Sequence, residues 1–310
     1  MGDHLVKTVI LLATYQGEAW LTPLLDSLSA QTDPDFEVLF QDDGSSDATP
    51  SLLRAVSDQD GRFREGKEVG RHLGPAGNFL SLLRQTDGDL IFLCDQDDLW
   101  EPDKLSVMKA AMPLRETRPI LVHTDLSVVD QDGNLLAPSF FRLEGWDPSA
   151  VTLPPLLVQN NATGCAMLLN RPLADRVLAY GTPEKMFMHD WFIALTAAAF
   201  GRVLFLDQPL TRYRQHGTNV IGASQSSLIV RGFHALGQRK AAQARIALTY
   251  THTRAFQESY GDTLPAEAAE LISAYLATQT MPWFRRVRTV RRLGCVMQSP
   301  VTRLGQLFFG

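Results

Sequence analysis

Cysteine is scarce in this 310-residue chain: Cys94, Cys165 and Cys295 are odd in number, far apart and never in a C-x-x-C pair. That excludes a disulfide framework or a cysteine zinc cluster and fits reduced thiols in a cytoplasmic protein. Long apolar runs are also missing, since no uncharged stretch approaches the roughly 18–20 residues that span a bilayer. The opening MGDHLVKTVILLATY has only a short apolar stretch and an early acid, which predicts a first strand instead of a signal peptide. Charged residues make up 20% of the chain, with 22 glycines and 17 prolines, which excludes a disordered or collagen-like polymer. Positive charge is in deficit: 29 basic against 34 acidic residues leave a net −5, which argues against a nucleic-acid partner. What is present is a 45% hydrophobic composition. A chain of about 300 residues buries roughly 75% of its unfolded surface, as one large domain or two intimate ones.

The charge is unevenly spread. Residues 281–310 hold six arginines and no acid, leaving 23 basic against 34 acidic residues, a net −11, in the first 280. That tail mixes its arginines with Trp283, Phe284, Leu293, Val296, Leu304, Leu307, Phe308 and Phe309. The composition fits a helix making peripheral contact with an anionic membrane. It equally fits a basic helix whose apolar side packs on the body or on a second copy in a homo-oligomer.

Short apolar runs alternate with helical patterns in the first half, which predicts an α/β domain with a largely parallel sheet. Strands are expected at residues 8–13 (TVILLA), 36–40 (FEVLF) and 90–94 (LIFLC), with helices at 21–30, 47–56, 75–85 and 103–111. Beyond these, strands are expected at 120–129, 163–169 and 203–206, and helices from Pro172 and over 189–200. A tight turn falls at Asp132-Gly133-Asn134. From about Ser226 the pattern is helical to the end, which puts a boundary near Gly222 between a domain of residues 1–222 and a helical region of 223–310.

Three strands run into polar clusters: Thr14-Tyr15-Gln16-Gly17-Glu18, Gln41-Asp42-Asp43-Gly44-Ser45-Ser46-Asp47 and Asp95-Gln96-Asp97-Asp98. In an open parallel sheet, ligands bind outside the carboxyl ends of the strands, so all three converge on one rim. Singly, each cluster is also ordinary turn and capping chemistry. Together they concentrate acid, and Mg²⁺ or Mn²⁺ is the simplest compensation for hard carboxylate oxygens.

These motifs, in this order and spacing, resemble glycosyltransferase family 2. They are Thr-Tyr-Gln-Gly-Glu after a first strand, Asp-Asp-Gly-Ser-Ser-Asp after a second, and Asp-x-Asp-Asp-x-Trp-x-Pro-Asp-Lys after a third. His189-Asp190-Trp191 and Arg212-Tyr213-Arg214-Gln215-His216-Gly217-Thr218-Asn219 extend the likeness toward the bacterial rhamnosyltransferase-like branch. The resemblance spans roughly residues 8–222 and implies a GT-A fold. That is a Rossmann-like α/β architecture with a mixed, mainly parallel sheet flanked by helices, here followed by the C-terminal helical appendage.

It also implies an inverting, metal-dependent sugar transfer from a nucleoside diphosphate to a hydroxyl. The donor implied is dTDP-L-rhamnose, or alternatively a UDP-hexose or UDP-hexosamine. The acceptor implied is a growing glycan, lipid-linked, at the inner face of the cytoplasmic membrane. By the same resemblance Asp97 ligates Mn²⁺ or Mg²⁺, Asp95 holds the ribose or reaches the metal through water, and Gln96 lies on the donor. His216 supplies an imidazole ligand, or packs as most lone histidines do, while Asp98 caps a helix or supports its neighbours. Asp190 is the base, although a carboxylate at a helix start is also an ordinary N-cap. Thr14, Tyr15, Glu18 and Asp43 surround the nucleoside, with Asp43 accepting from the imino N–H of the base. Asn78 is a donor-contacting position, but Gly77 stands where the family often carries arginine. Gly164 and Trp191 fall on the acceptor side, and Trp100 packs the acidic loop.

Two other classes compete. A nucleotidyltransferase needs a basic, glycine-rich loop after the first strand, and residues 14–18 hold one glycine and no Lys or Arg. A silent nucleotide- or glycan-binding module has no need of Asp97, Asp190 and His216 together.

Overall fold

Strands that are apolar from end to end form the centre of the protein. The computed structural model describes residues 6–68, 72–113, 116–186, 188–216 and 235–309. Its strands are β1 (Thr8–Thr14), β2 (Glu37–Asp42), β3 (Phe63–Glu65), β4 (Leu90–Asp95), β5 (Leu99–Trp100), β6 (Ile120–Val129), β7 (Leu135–Ala137), β8 (Met167–Asn170) and β9 (Arg202–Arg214). Its helices are α1 (Glu18–Ser29), α2 (Thr49–Gln59), α3 (Gly74–Gln85), α4 (Lys104–Ala111), α5 (Phe140–Glu144), α6 (Leu153–Leu156), α7 (Arg171–Tyr180), α8 (His189–Phe200), α9 (Ala235–Tyr260), α10 (Ala266–Ala277), α11 (Trp283–Leu293) and α12 (Pro300–Phe309).

Among the described residues the strands form one sheet in the order β3-β2-β1-β4-β8-β6-β9-β5, with β7 on β6. The long ladders, β1 with β2 and β4 and β6 with β9, are parallel. Antiparallel β8 lies between β4 and β6 and splices the two parallel halves. Alternation along β1 separates two cores. Val9 and Leu11 face one side with α3, α7 and α8, and Ile10 and Leu12 face the other with Leu21, Leu24, Leu25 and Leu28 of α1. Covered on both faces, such strands are apolar throughout. The leucines of α1 recur at helical spacing, and α8 is buried on nearly every side. Ile246, Phe256 and Tyr260 of α9, Ile272 and Tyr275 of α10, Val290 of α11 and Leu307 of α12 belong to the first of these cores.

The strand expected over 163–169 is shorter. Residues Gly164–Ala166 form a 3-10 turn, and only Met167–Asn170 join the sheet. The strand expected at 203–206 runs on to Arg214, with register shifts against β6 around Asp125. Short β3, β5 and β7 escape sequence reading because two or three residues carry no periodicity. The Gly222 boundary and the Gly217-Thr218-Asn219 end of the last motif lie outside the described residues. No helix among the described residues is long and apolar enough to cross a membrane.

Candidate active site

Register brings the polar clusters level. Thr14 pairs with Asp42 across the β1–β2 ladder and Ala13 with Asp95 across β1–β4, so three loops leave one edge of the sheet. Side chains then lace these loops together. Thr14 Oγ1 donates to Asp42 Oδ1 (3.1 Å), and Asp42 Oδ2 accepts from the amides of Gly44 and Ser45. The Gln96 carboxamide accepts from Tyr15 N (2.7 Å) and donates to Tyr15 O (2.8 Å), clasping the loop after β1 to the loop after β4. Gly17 is required by that clasp: a Cβ there would lie 2.3 Å from Gln96 Oε1. Glu18 accepts from Ala48 N while Asp47 accepts from Glu18 N, a reciprocal tie between α1 and α2. The Tyr15 ring stays open to solvent, 4.7 Å from the His72 ring.

Asp43 and Asn78, also expected to touch the donor, are engaged as well. Asp43 caps α3, accepting from the amides of Leu73 (2.6 Å) and Gly74 (2.8 Å), so a bond to a nucleobase would be an additional one. Asn78 is buried and pairs reciprocally with Gln41, giving Nδ2 to the backbone O and taking the Gln41 Nε2 donor on Oδ1. Its carboxamide is therefore a brace between α3 and β2 and not an open donor contact.

The acids after β4 divide by depth. His216 Nε2 lies 2.8 Å from Asp97 Oδ2, although the two are 119 positions apart in sequence. The imidazole stacks on Trp20 of α1 at 5.1 Å, and the Arg214 guanidinium covers the same indole. Arg214 Nε donates to Asp97 O, so β9 grips the loop by backbone as well as side chain. Asp98 is fully buried and accepts from Arg214 N, while the N-cap of α4 is Asp103; Asp98 therefore locks β9 to the loop and caps no helix. Burial, with Asp97 and Asp95 beside it, holds Asp98 well above the usual carboxylate range. Burial first, then the charges of Asp97 and Asp190, push Asp95 up to about 7.

Lys104 carries no signal of a role in the sequence. Its ammonium is completely buried, donates to Cys165 O (2.6 Å) and Thr211 Oγ1 (2.8 Å), and sits 3.5 Å over the Trp100 ring. Burial lowers it to about 8, which leaves it mostly charged at neutral pH beside Asp95 and Asp98.

Two donor sets could hold a cation here. Asp95, Asp98 and Cys165 bring their ligating atoms within 4.8 Å of one another, but burial pushes the Cys165 thiol well up, so it is a neutral, soft donor. Lys104 already brings positive charge to that pocket. Asp97 and His216, with Asp95 nearby, offer the oxygen and imidazole donors that suit Mn²⁺ or Mg²⁺, and a cation would offset both the burial and the like charges of Asp97 and Asp190 that raise Asp95.

Asp190 stands across the same edge. It lies in the first turn of α8, one step inside the helix from His189, with Met188 as the N-cap. Burial raises it to about 6 against the opposing hydrogen bonds of Trp191 N, Gly164 N and the Asn160 side chain. A Cβ on Gly164 would meet His189 Nε2 at 3.1 Å and Asp190 Cβ at 3.7 Å, so this glycine leaves room for Asp190. The next residue, Cys165, reaches Asp95, and Asp190 is near enough to Asp95 to perturb it. Carboxylate pair and buried acid therefore share one site. Burial also drops His189 to about 4, leaving a neutral ring stacked on Phe79 with Nε2 unpartnered. Trp191, expected on the acceptor side, is instead a core residue: its indole donates to Leu156 O (2.6 Å) and packs against His252 of α9. Trp100, expected to pack the acidic loop, is buried in the second core with its ring 5.7 Å from that of Phe92.

Against known proteins, the glycosyl transferase family 2 model matches residues 9–176. An uncharacterized glycosyltransferase of Nostoc sp. is 22% identical over 220 residues, 69% of this chain and 66% of that one. The dTDP-rhamnosyl transferase RfbG of Shigella flexneri is 24% identical over 235 residues, 69% of this chain and 75% of RfbG. Among solved structures, S. aureus TarS 1–349 in complex with UDP-GlcNAc superposes with a TM-score of 0.58 at 16% identity, covering 97% of this chain and 88% of TarS 1–349. The chain spans just under two thirds of its Nostoc relative. With the family match covering more than half of its residues, the chain belongs to glycosyltransferase family 2 and carries the GT-A fold.

Proposed function

We propose that this protein is an inverting, metal-dependent glycosyltransferase that moves L-rhamnose from dTDP-L-rhamnose to a hydroxyl of a lipid-linked surface glycan. The observation that carries the reading is the shared edge of Asp95, Asp97 and His216 with the buried, perturbed Asp190. In this reading Asp97 and His216, with Asp95, hold Mn²⁺ or Mg²⁺. An ion held there would supply positive charge to offset that of the departing diphosphate. Asp190 accepts the proton of the acceptor hydroxyl as that oxygen bonds to the anomeric carbon. The bond from that carbon to the diphosphate breaks, and nucleoside diphosphate leaves with the electron pair. One displacement inverts the centre. A base near pH 6 is ionised at neutral pH yet not so weak that it fails to take a proton. Thr14, Tyr15 and Glu18 lie on the nucleoside side, with Gly164 facing the acceptor.

The rhamnose assignment draws on the likeness to RfbG. A UDP-hexosamine donor is the second reading and draws on TarS with UDP-GlcNAc. Incubating the protein with dTDP-rhamnose or UDP-GlcNAc, with and without Mn²⁺, tests both. The first reading requires Mn²⁺-dependent release of dTDP, and release of UDP instead supports the second. Donor binding without turnover of either points to a silent module.

A further inference from the structure

The basic tail divides into a packed side and a bare one. Val290, Cys295, Met297 and Leu307 enter the core, with Val287 and Leu293 against it. Trp283, Phe284, Val301, Leu304 and Phe308 are each more than half exposed, and they make up five of the seven large apolar side chains so exposed among the described residues. Trp283 and Phe308 join the two helices. The Trp283 indole donates to Leu307 O (2.7 Å) and stacks on Phe308, which brings the start of α11 beside the end of α12. Val301, Leu304 and Phe308 form one stripe of α12. On α11, Phe284, Arg288 and Arg291 recur at i, i+4 and i+7, and Arg285, Arg288, Arg291 and Arg292 are exposed. Between the tail and the body a cleft of about 450 Å³ is lined by Arg291, Arg303, Gln298 and Asp147. The Asp147 carboxylate is taken by Ser149, and Gln298 Nε2 has no hydrogen-bond partner.

We infer that the exposed face of α11 and α12 is a docking surface for an anionic lipid bilayer. The aromatic stripe enters the headgroup boundary, and the arginines sit over lipid phosphates. Charge fixes the orientation. The first 280 residues carry a net −11 and are repelled by an anionic surface, while the tail of six arginines is drawn to it. Pairing this face with its copy in a second chain would set arginines against arginines, so it is not self-complementary.

Sedimentation of the full chain with vesicles tests this with no donor or acceptor present, so it stands apart from the reading of the active site. Vesicles of phosphatidylcholine with phosphatidylglycerol should bind the protein and release it in high salt; phosphatidylcholine alone should bind far less. Replacing Arg288 and Arg291 together by glutamine should weaken binding about 25-fold, at about fivefold for each arginine near the surface. Phe284→Ser with Phe308→Ser should weaken it by about tenfold or more. The melting temperature of each variant shows whether it is folded. Equal binding to neutral vesicles, no binding to either, or parent-like binding by the arginine variant overturns the proposal. So does a parent dimer that these substitutions dissolve, because the face would then be a protein interface.

Discussion

Asp190 combines a functional demand with a structural penalty. Burial raises its acid to about 6 from 3.8, so folding favours the protonated form. The favourable contribution is complete below pH 3.8, declines as the unfolded chain ionises, and is gone once pH passes about 6. Asp190→Asn should therefore leave stability near that of the parent at pH 4. It should raise it at pH 7.5 by up to about 3 kcal/mol, read by urea unfolding of the metal-free protein. A parent more stable than the variant at pH 7.5 refutes the buried-charge account. Transfer by the parent should fall about tenfold per unit below pH 6, and Asp190→Asn should lose about 10²–10⁴-fold at neutral pH. Lys104 is the converse case, a buried cation among acids; Lys104→Ala should cost about 3–5 kcal/mol, and a loss under about 1 kcal/mol shows the ammonium to be dispensable. The acids after β4 were legible because an apolar strand ending on three carboxylates needs a reason. Lys104 was not, because a lysine opening a helix normally reads as solvated. Trp20 and Asn160 were hidden likewise, since their roles arise only when distant segments meet.

The loop after β1 works by being tied to its neighbours. Gly17→Ala drives a methyl into Gln96 and should break both bonds of the Gln96–Tyr15 clasp, costing about 2 kcal/mol of stability and weakening donor binding. Made in a Gln96→Ala background, the same change should cost little, because the clash and the clasp disappear together. An undiminished cost in that background places the strain elsewhere. Continuous apolar runs made β1, β2, β4 and β6 readable, and the 12-residue pattern of α8 matched its expected limits. The segment TGCAMLL misled because its apolar residues are buried by a 3-10 turn followed by a short strand. Burial without alternation does not distinguish the two.

The C-terminal helices complete a core that begins in β1. Trp191 meets His252 of α9 and Thr196 pairs with Tyr260, so α9 braces the helix that carries Asp190, while Gln298 accepts from Asp147 N. Removing residues 281–310 should lower the melting temperature sharply, and an unchanged value would separate that segment from the core. The sequence announced the tail's charge but not its seating, because apolar residues occur on several sides of these helices and only the tertiary contacts select which are covered. The proposed function as a whole requires that one edge hold both a cation-dependent diphosphate site and a buried base. Thermal shift with UDP and dTDP, with and without Mn²⁺, on the parent, Asp97→Ala and Asp190→Asn addresses this directly. A ligand at 100 times its Kd stabilises the native state by about 2.7 kcal/mol. That gain should need Mn²⁺, persist in Asp190→Asn while its transfer collapses, and vanish in Asp97→Ala. A Mn²⁺-independent shift, or one that survives in Asp97→Ala, would contradict that requirement.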